Sequence, residues 1–516
     1  MADRWQTFKA TFEGGLMLNQ DALTLGATAP GAAVIHVNYE PSLLGGYRRI
    51  NGYQKYGDVP VPGTGPIMGV QVYEGGVVAA RATEGNANID YWYGTGVGWD
   101  KINTGITRSW SGVGRVRSIF YDSIEPVAVF TDGVGPALKW NGDELTEIKG
   151  TGAPSNPKFA ATFASRLVLA GYSSNFSAFS VSAPNADTNF SPAAGAFEAV
   201  VGDPIVALRN FRETLYIFCR NSIHKLEGNS STNFKLSPVT MNIGCVSSDS
   251  VQEVGGDLVF LAPDGIRPVS ATERIGDVEL ATVSREVWPY MGELIGSKTP
   301  SRYCSTVIRS KNQYRLFASD SSDAPDRSEG LLGGIRNGQE GLKWEWAKLQ
   351  GFHVACADSG YFGEDEIVVH GGFDGYVYRH DVGNSRDGEP LYSQLRLPHL
   401  NFDDPNIRKT LYKMDLYYRI EGQTDITMAT IIDYQGMGSL QPPVNRIGTE
   451  NGSIAIFGTP SFVLGVAKLG ATNIPVANEY LIGSGFTFSF DFITNDTNPP
   501  HTLQAYTIEY GVSGRR

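Results

Sequence analysis

From about residue 60 onward, apolar and polar positions alternate with a period of two, and a helical period shows only at 283–291, just ahead of Gly292, and around Ser305. The period-two stretches fall into blocks. Each block has a strand, a turn, an apolar strand, and then a glycine-containing turn that leads into a further strand. The blocks are 67–82 with 89–99, 116–130 with 137–140, 159–170 with 178–182, 205–218 with 222–226, 251–261 with 266–269, 303–317 with 331–335 and 344–346, and 367–370 with 376–379. Asp-Gly pairs at 132–133, 264–265 and 374–375 suit tight hairpin turns. A spacing of about 40–50 residues is the span of one four-stranded propeller blade. The pattern predicts an all-β chain with a β-propeller over 61–385, six blades being the preferred count and the last block closing the ring with an earlier strand. A series of ordinary hairpins in one or two sandwiches is the simpler alternative. A single Trp99-Asp100 pair argues against a WD40 array, and the Gly-Gly doublets lack the Tyr and Trp positions of kelch repeats.

Beyond Asp381 the pattern changes. Residues 383–390 read as a linker, and longer strands follow at 411–420, 427–432, 453–457, 485–492 and 503–510. Phe486, Phe488, Phe490 and Phe492 alternate with Thr487, Ser489 and Asp491, which places a phenylalanine face against a core. This predicts a separate C-terminal β-sandwich over 386–516, with 1–60 as N-terminal strands that join the propeller and neighbouring subunits.

Within the N-terminal region, 33–37 is a short apolar strand, Pro41 and Gly45-Gly46 form a corner, and a second strand starts at Tyr47. Asn51-Gly52 has the residue types of a type I′ hairpin turn. Alternation sends Tyr47 and Arg49 to one face, Arg48 and Ile50 to the other, so the two cannot share one solvated patch and one of them is expected to cross to a carboxylate or backbone carbonyl of a neighbouring element. Tyr47, Arg48, Arg49 and Tyr53 are the candidate assembly residues.

The stretch also resembles a family. Gly14-Gly15-Leu16, an asparagine-bearing strand, and the run Gly-Gly-Tyr-Arg-Arg-x-x-Gly-Tyr at 45–53 are similar to the opening of the tail nozzle, or head-to-tail closure, β-propellers of short-tailed bacteriophages. The entry at 402–410 and the ending at 506–511 resemble the same proteins more loosely. The resemblance implies a virion structural protein without enzymatic activity, assembled in the host cytoplasm into the phage tail. Six copies would form a homohexameric ring below the portal and adaptor. Such a ring carries fibres, extends the DNA-ejection channel and helps retain the packaged genome.

Composition sharpens some of this. A net charge of −12, with no basic run beyond Arg48-Arg49 and Arg515-Arg516, excludes general nucleic-acid binding, since phosphate affinity rests on Lys and Arg. Duplex DNA passing through a duct would therefore meet a wall of Asp, Glu, Ser and Asn more than Lys or Arg, with loops near 228–233, 320–330 and 436–452 narrowing the bore. The four cysteines lack metal-knuckle spacing and read as free, buried thiols made in a reducing cytosol. The first residues hold no apolar stretch of a secretory signal, and no run approaches the length of a membrane span.

Catalytic motifs, cofactor sites and metal sites are not expected. His370 and His380 flank an Asp-Gly turn, but strand spacing alone does not bring them together. Asp320, Asp323 and Asp326 are too widely spaced for a calcium loop. The Asp-Gly turns are shorter than sialidase Asp boxes, and Tyr91-Trp92-Tyr93 with Trp99 read as blade packing rather than a sugar platform. The alternative function is a propeller-based carbohydrate-binding or depolymerising tail protein.

Overall fold

The computed structural model describes residues 5–110, 114–122, 126–275, 282–338, 341–434, 442–448 and 476–515. The chain is nearly all β and forms a propeller. Five four-stranded sheets stand around its axis in sequence order: Thr64–Tyr73 to Trp99–Lys101, Arg117–Tyr121 to Leu145–Glu147, Phe159–Phe163 to Phe197–Val200, Ile205–Phe211 to Lys235–Thr240, and Val354–Phe362 to Val377–His380. The fifth of these takes its outermost strand, Tyr53–Lys55, from the N-terminal region. A sixth four-stranded blade, Tyr303–Ile308 to Gly341–Gln350, is part of a larger sheet. The block at 251–269 forms a three-stranded sheet, Gln252–Val254, Asp257–Ala262 and Gly265–Pro268, and sits in the ring between its neighbours. So the axis is surrounded by six full blades and one three-stranded sheet.

The second strand of a blade is packed between two neighbouring blades, which is why its sequence is a continuous apolar run rather than an alternation. All seven positions of Gly76–Ala82 and of Arg166–Tyr172 are buried. The ring closes through the pairs Tyr53↔His380 and Lys55↔Tyr378, so the closing strand predicted from sequence is supplied by residues more than 300 positions away.

Two further sheets share one core beside the propeller. The first continues the blade of Tyr303–Gln350. Its outer strand pairs in parallel with Ile35–Val37 at Val37↔Lys348, and then come Leu391–Arg396, Phe488–Asp496, Asp425–Ile432 and Asn445–Gly448. The facing sheet holds Tyr39–Pro41, Tyr47–Arg49, His501–Arg515, Ile407–Ile420 and Val476–Tyr480, with Gln6–Thr11 along His501–Arg515. Phe12, Tyr39, Tyr47, Met414, Phe488, Phe490, Phe492 and Tyr506 are buried between them. N-terminal strands thus build the C-terminal layers. The strand expected at 453–457 lies outside the described residues.

Three local expectations change. Phe488, Phe490 and Phe492 are fully buried as expected, but Ser489 and Asp491 on the opposite face are buried as well. Ser489 donates to the Leu397 carbonyl at 2.7 Å, and Asp491 accepts from Gln394 at 2.8 and 2.9 Å. Asn51-Gly52 is not a hairpin turn, because Tyr47–Arg49 and Tyr53–Lys55 belong to different sheets. The hairpin turn lies earlier, where Gly45 and Gly46 take φ of +88° and +82° between Tyr39–Pro41 and Tyr47–Arg49. The helix expected at 283–291 appears as a short 3₁₀ turn followed by Trp288–Ser297. Among the described residues, no helix is long and apolar enough to cross a membrane.

All four cysteines are buried and free, and burial raises the thiols of Cys219, Cys245 and Cys356 to about 12 and that of Cys304 to about 11. They should therefore resist a thiol reagent in the native protein and all react after denaturation without reductant. Rapid labelling of two or more in the native state would contradict this. Burial also pushes His36 down to about 4 and His370 and His501 to about 3. Each is neutral when folded and takes up a proton when unfolded, so its contribution is complete above pH ~6.5 and is lost as pH falls, by about 1.4 kcal/mol per pH unit and histidine. Burial raises Asp358 and Glu345, which act in the opposite sense. The expected net result is a lower urea midpoint at pH 5 than at pH 8. An equal or higher midpoint at pH 5 would refute it.

Candidate functional site

Of the four residues singled out from the sequence, Tyr47, Arg48 and Arg49 share one strand of the paired sheets, whereas Tyr53 lies in the closing strand of the propeller. Arg49 is 1% exposed, and its guanidinium is surrounded by oxygen. It donates to Asp496 Oδ1 at 2.7 Å and to the carbonyls of Leu391 (2.6 Å), Asp496 (2.7 Å) and Asn498 (3.0 Å), with Ser393 Oγ at 3.3 Å. Only a planar, permanently charged fork can satisfy so many acceptors at once. Arg48 leaves on the other face and grips Glu421 through two bonds of 2.6 and 2.7 Å, with further bonds to Glu40 (3.0 Å) and Asn51 (2.8 Å). The expectation of one arginine crossing to a neighbouring element is met by both.

Tyr47 holds the first glycine motif in place: its hydroxyl accepts from Gly15 N at 2.7 Å and donates to the Gly31 carbonyl at 3.2 Å. A side chain on Gly15 would collide with the backbone of Trp346, 2.7 Å from where its Cβ would sit. Tyr53 packs among Phe352, His370 and Tyr378 and donates to the Gly351 carbonyl at 3.2 Å.

Sequence reading missed the charge network at the seam between the paired sheets and the propeller. Glu40, 3% exposed, accepts from Arg48, from Lys311 Nζ at 2.9 and 3.2 Å and from Gln313 at 3.0 Å. Lys311 and the fully buried Arg315 also bind Asp381, at 2.6 and 2.9 Å. His370 and His380, which spacing alone did not join, do meet: Nδ1 of the first lies 2.7 Å from Nε2 of the second, next to Arg315. The pairing His370↔Tyr378 sets the two rings diagonally on one face of adjacent strands. With a guanidinium beside them, they form part of an ion network. Asp320 and Asp323 converge on Lys298 Nζ at 2.9 and 2.6 Å, an ion pair and not a calcium loop. Asp132 and Asp374 cap their own turns by accepting from Val134 N and Tyr376 N. Tyr91 is buried against Phe130 in the blade core. Among the described residues, no three metal-ligating side chains cluster.

A half-enclosed cavity of about 930 Å³ lies on the propeller axis, lined by the inner strands of all its sheets. Its floor is charged. Arg115, just ahead of Arg117–Tyr121, reaches across the ring: it donates to Asp249 at 2.8 Å, to the Tyr303 carbonyl at 3.1 Å and to the Ala355 carbonyl. Arg117 adds bonds to Asp249 (2.9 Å) and Ser248 (2.7 Å). Burial opposes ionisation of Asp249, but Arg117 and Arg115 outweigh it and hold the carboxyl far below the usual range. Burial raises Asp358, partly offset by the bond of 2.9 Å from Val72 N. Burial also lowers Arg209, partly offset by Asp249 and Asp358. At the rim stand Phe120, Tyr361 and Phe362, each about half exposed.

This geometry changes the expected duct. Side-chain bonds that join blades across the ring close the propeller's own axis, so a duplex cannot thread it. The wall carries four arginines (Arg115, Arg117, Arg209, Arg309) and four carboxylates (Glu74, Asp249, Glu253, Asp358). Of the loops expected to narrow a bore, most of 436–452 lies outside the described residues. No sequence motif announces the cavity. The available signal was arginine on or just ahead of inner strands, at 115, 117 and 209.

No protein-family model matches the sequence, and no curated protein matches it. Solved structures that it resembles include an exo-β-1,3-galactanase from Phanerochaete chrysosporium with galactose, at 10% identity over 89% of this chain and 100% of that one, with a TM-score of 0.28. An ancestral GH74 enzyme is 10% identical over 65% of this chain and 49% of its own, with a TM-score of 0.37. PorZ, a surface component of the type-IX secretion system of Porphyromonas gingivalis, is 10% identical over 68% and 43%, also at 0.37. The chain thus spans about half the length or less of the last two. Likeness at this level concerns the fold. The expectation of a protein without enzymatic activity is nonetheless corrected here, because glycoside hydrolases stand among these structures.

The seam yields a direct test. Replacing Arg49 by alanine leaves three carbonyls and the partly exposed Asp496 without their fork, and should cost about 3 kcal/mol, the lower end for breaking a buried pair. Arg48→Ala removes a partly solvated pair and should cost about 1 kcal/mol. Urea denaturation of both variants checks the ranking, and equal effects would refute it.

Proposed function

We propose that the chain is a tail nozzle of a short-tailed bacteriophage, a virion structural protein that acts as a homohexameric ring below the portal and adaptor. One observation supports this reading above the others. The residues that carry the family resemblance, Gly14 to Leu16 and Gly45 to Tyr53, converge on the seam through the Gly15–Tyr47 bond and the contacts of Arg48 and Arg49. The resembling motif is thus a structural joint that ties the N-terminal strands to the paired sheets and, through Glu40 and Lys311, to a propeller blade. With the propeller axis closed by Arg115, the DNA path in this reading runs between the six copies. Fibres and the adaptor would bind the outer surfaces of the ring.

A second reading, a propeller-based carbohydrate-binding tail protein, is favoured by the axial cavity. It combines a concave shape, rim aromatics and convergent polar groups, the usual make-up of a sugar site.

Negative-stain electron microscopy of the purified protein at its highest soluble concentration separates the two. Hollow six-fold rings are the expected result. Isolated monomeric discs under all conditions would overturn the nozzle reading.

A further inference from the structure

We propose that the axial cavity of the propeller binds an acidic saccharide, with Arg209 holding the carboxylate of a hexuronate residue and Gln71 accepting from one of its hydroxyls. This inference rests on the second reading above and goes beyond it by naming the ligand's charge. Two observations carry it, one from a donor and one from an acceptor.

The donor is Arg209, on the inner strand Ile205–Phe211. Its Nε is bound to the Val251 carbonyl at 3.2 Å, which fixes the plane of the guanidinium. Among the described residues its two terminal nitrogens have no hydrogen-bond partner, although the group lines the cavity. The other two arginines of the floor are committed. Arg115 is used on both terminal nitrogens, and Arg117 is held by Asp249 and Ser248. Asp249 is in turn saturated by those two, and Asp358 is occupied by Val72 N. Of the three guanidinium groups on the floor, Arg209 is therefore the one whose fork presents an open edge to an incoming anion. A planar fork with two free N–H edges matches a carboxylate in a bidentate pair.

The acceptor is Gln71, on the inner strand Thr64–Tyr73. It is 4% exposed and lines the same cavity, and its Oε1 is buried without a hydrogen-bond partner. A buried acceptor left empty is costly, and a ligand hydroxyl would satisfy it. Sulfate could answer Arg209 but has no hydroxyl for Gln71; a neutral sugar could answer Gln71 but offers Arg209 no charged bidentate partner. A sugar acid answers both. The cavity, about 930 Å³, has room for a short oligosaccharide, and Tyr361 and Phe362 at the rim offer ring faces for a second sugar.

Isothermal titration calorimetry on the full chain tests this with four probes: D-glucuronate, a glucuronate-containing oligosaccharide, D-glucose and inorganic sulfate. The expected order is oligosaccharide, then glucuronate, with glucose and sulfate each at least tenfold weaker than glucuronate. Glucuronate binding should weaken as salt rises in the wild-type protein, a readout that needs no variant. Arg209→Gln should weaken glucuronate at least tenfold and leave glucose unchanged, whereas Gln71→Leu should weaken glucuronate and glucose alike. Thermal melts of both variants without ligand show that they are folded. If Arg209→Gln does not fold, the salt series and Gln71→Leu decide. Glucose binding as tightly as glucuronate would overturn the proposal and leave the carbohydrate reading standing. Sulfate binding as tightly as glucuronate would reduce the site to a general anion site and overturn the proposal. No binding of any saccharide would overturn both.

Discussion

The guanidinium of Arg49 is the point on which the two halves of the molecule depend. It is buried, and every oxygen it binds comes from residues 391 to 498. A charge in that position is tolerable only if the surrounding backbone is held so that its carbonyls converge. The N-terminal strand and the distal sheets therefore fix each other's positions. The Glu40 network repeats the arrangement on the other face of the same strand pair, where Lys311, Gln313 and Arg315 bring in a propeller blade.

The remainder of the architecture is continuous with that joint. Ile35–Val37 adds a parallel strand to the outer edge of one blade and an antiparallel partner to Leu391–Arg396, so one sheet runs from the propeller into the neighbouring layers. An exposed blade edge is a hazard for unwanted pairing, and here a short segment covers it. The propeller axis is closed by the same type of chemistry. Arg115 and Arg117 are neutralised by Asp249 and by backbone carbonyls, and what remains uncompensated faces the cavity.

Much of the fold could be read from the sequence because a blade strand is short, apolar and bounded by glycine turns. The seven blocks correspond to the sheets around the axis, and the phenylalanines at 488, 490 and 492 marked a real core. The domain membership of 33–55 was harder to see. Three-residue strands such as Tyr39–Pro41 and Tyr47–Arg49 pair with elements hundreds of positions away, and periodicity carries no information about distant partners. The Arg48-Arg49 pair was legible as a tie because alternation forces its two members apart. The axial cavity was not, because Gln71, Arg115, Arg209 and Asp358 come from four different sheets and no local spacing relates them. Asn51-Gly52 shows the limit of turn chemistry: the residue types suited a hairpin, but the flanking strands found partners elsewhere.

The pairing of Tyr53–Lys55 with Val377–His380 also governs how the protein must be made. The closing strand leaves the ribosome early and its partner more than 300 residues later, so the first blade-like hairpins form while the strand that will lock the ring has nothing to pair with. Until translation passes His380, the nascent chain carries an unpaired strand at one end and an open blade at the other. Synthesis thus passes through a long interval in which two growing chains could exchange these strands, and the propeller's last hydrogen bonds complete a closure that was available only in trans until then.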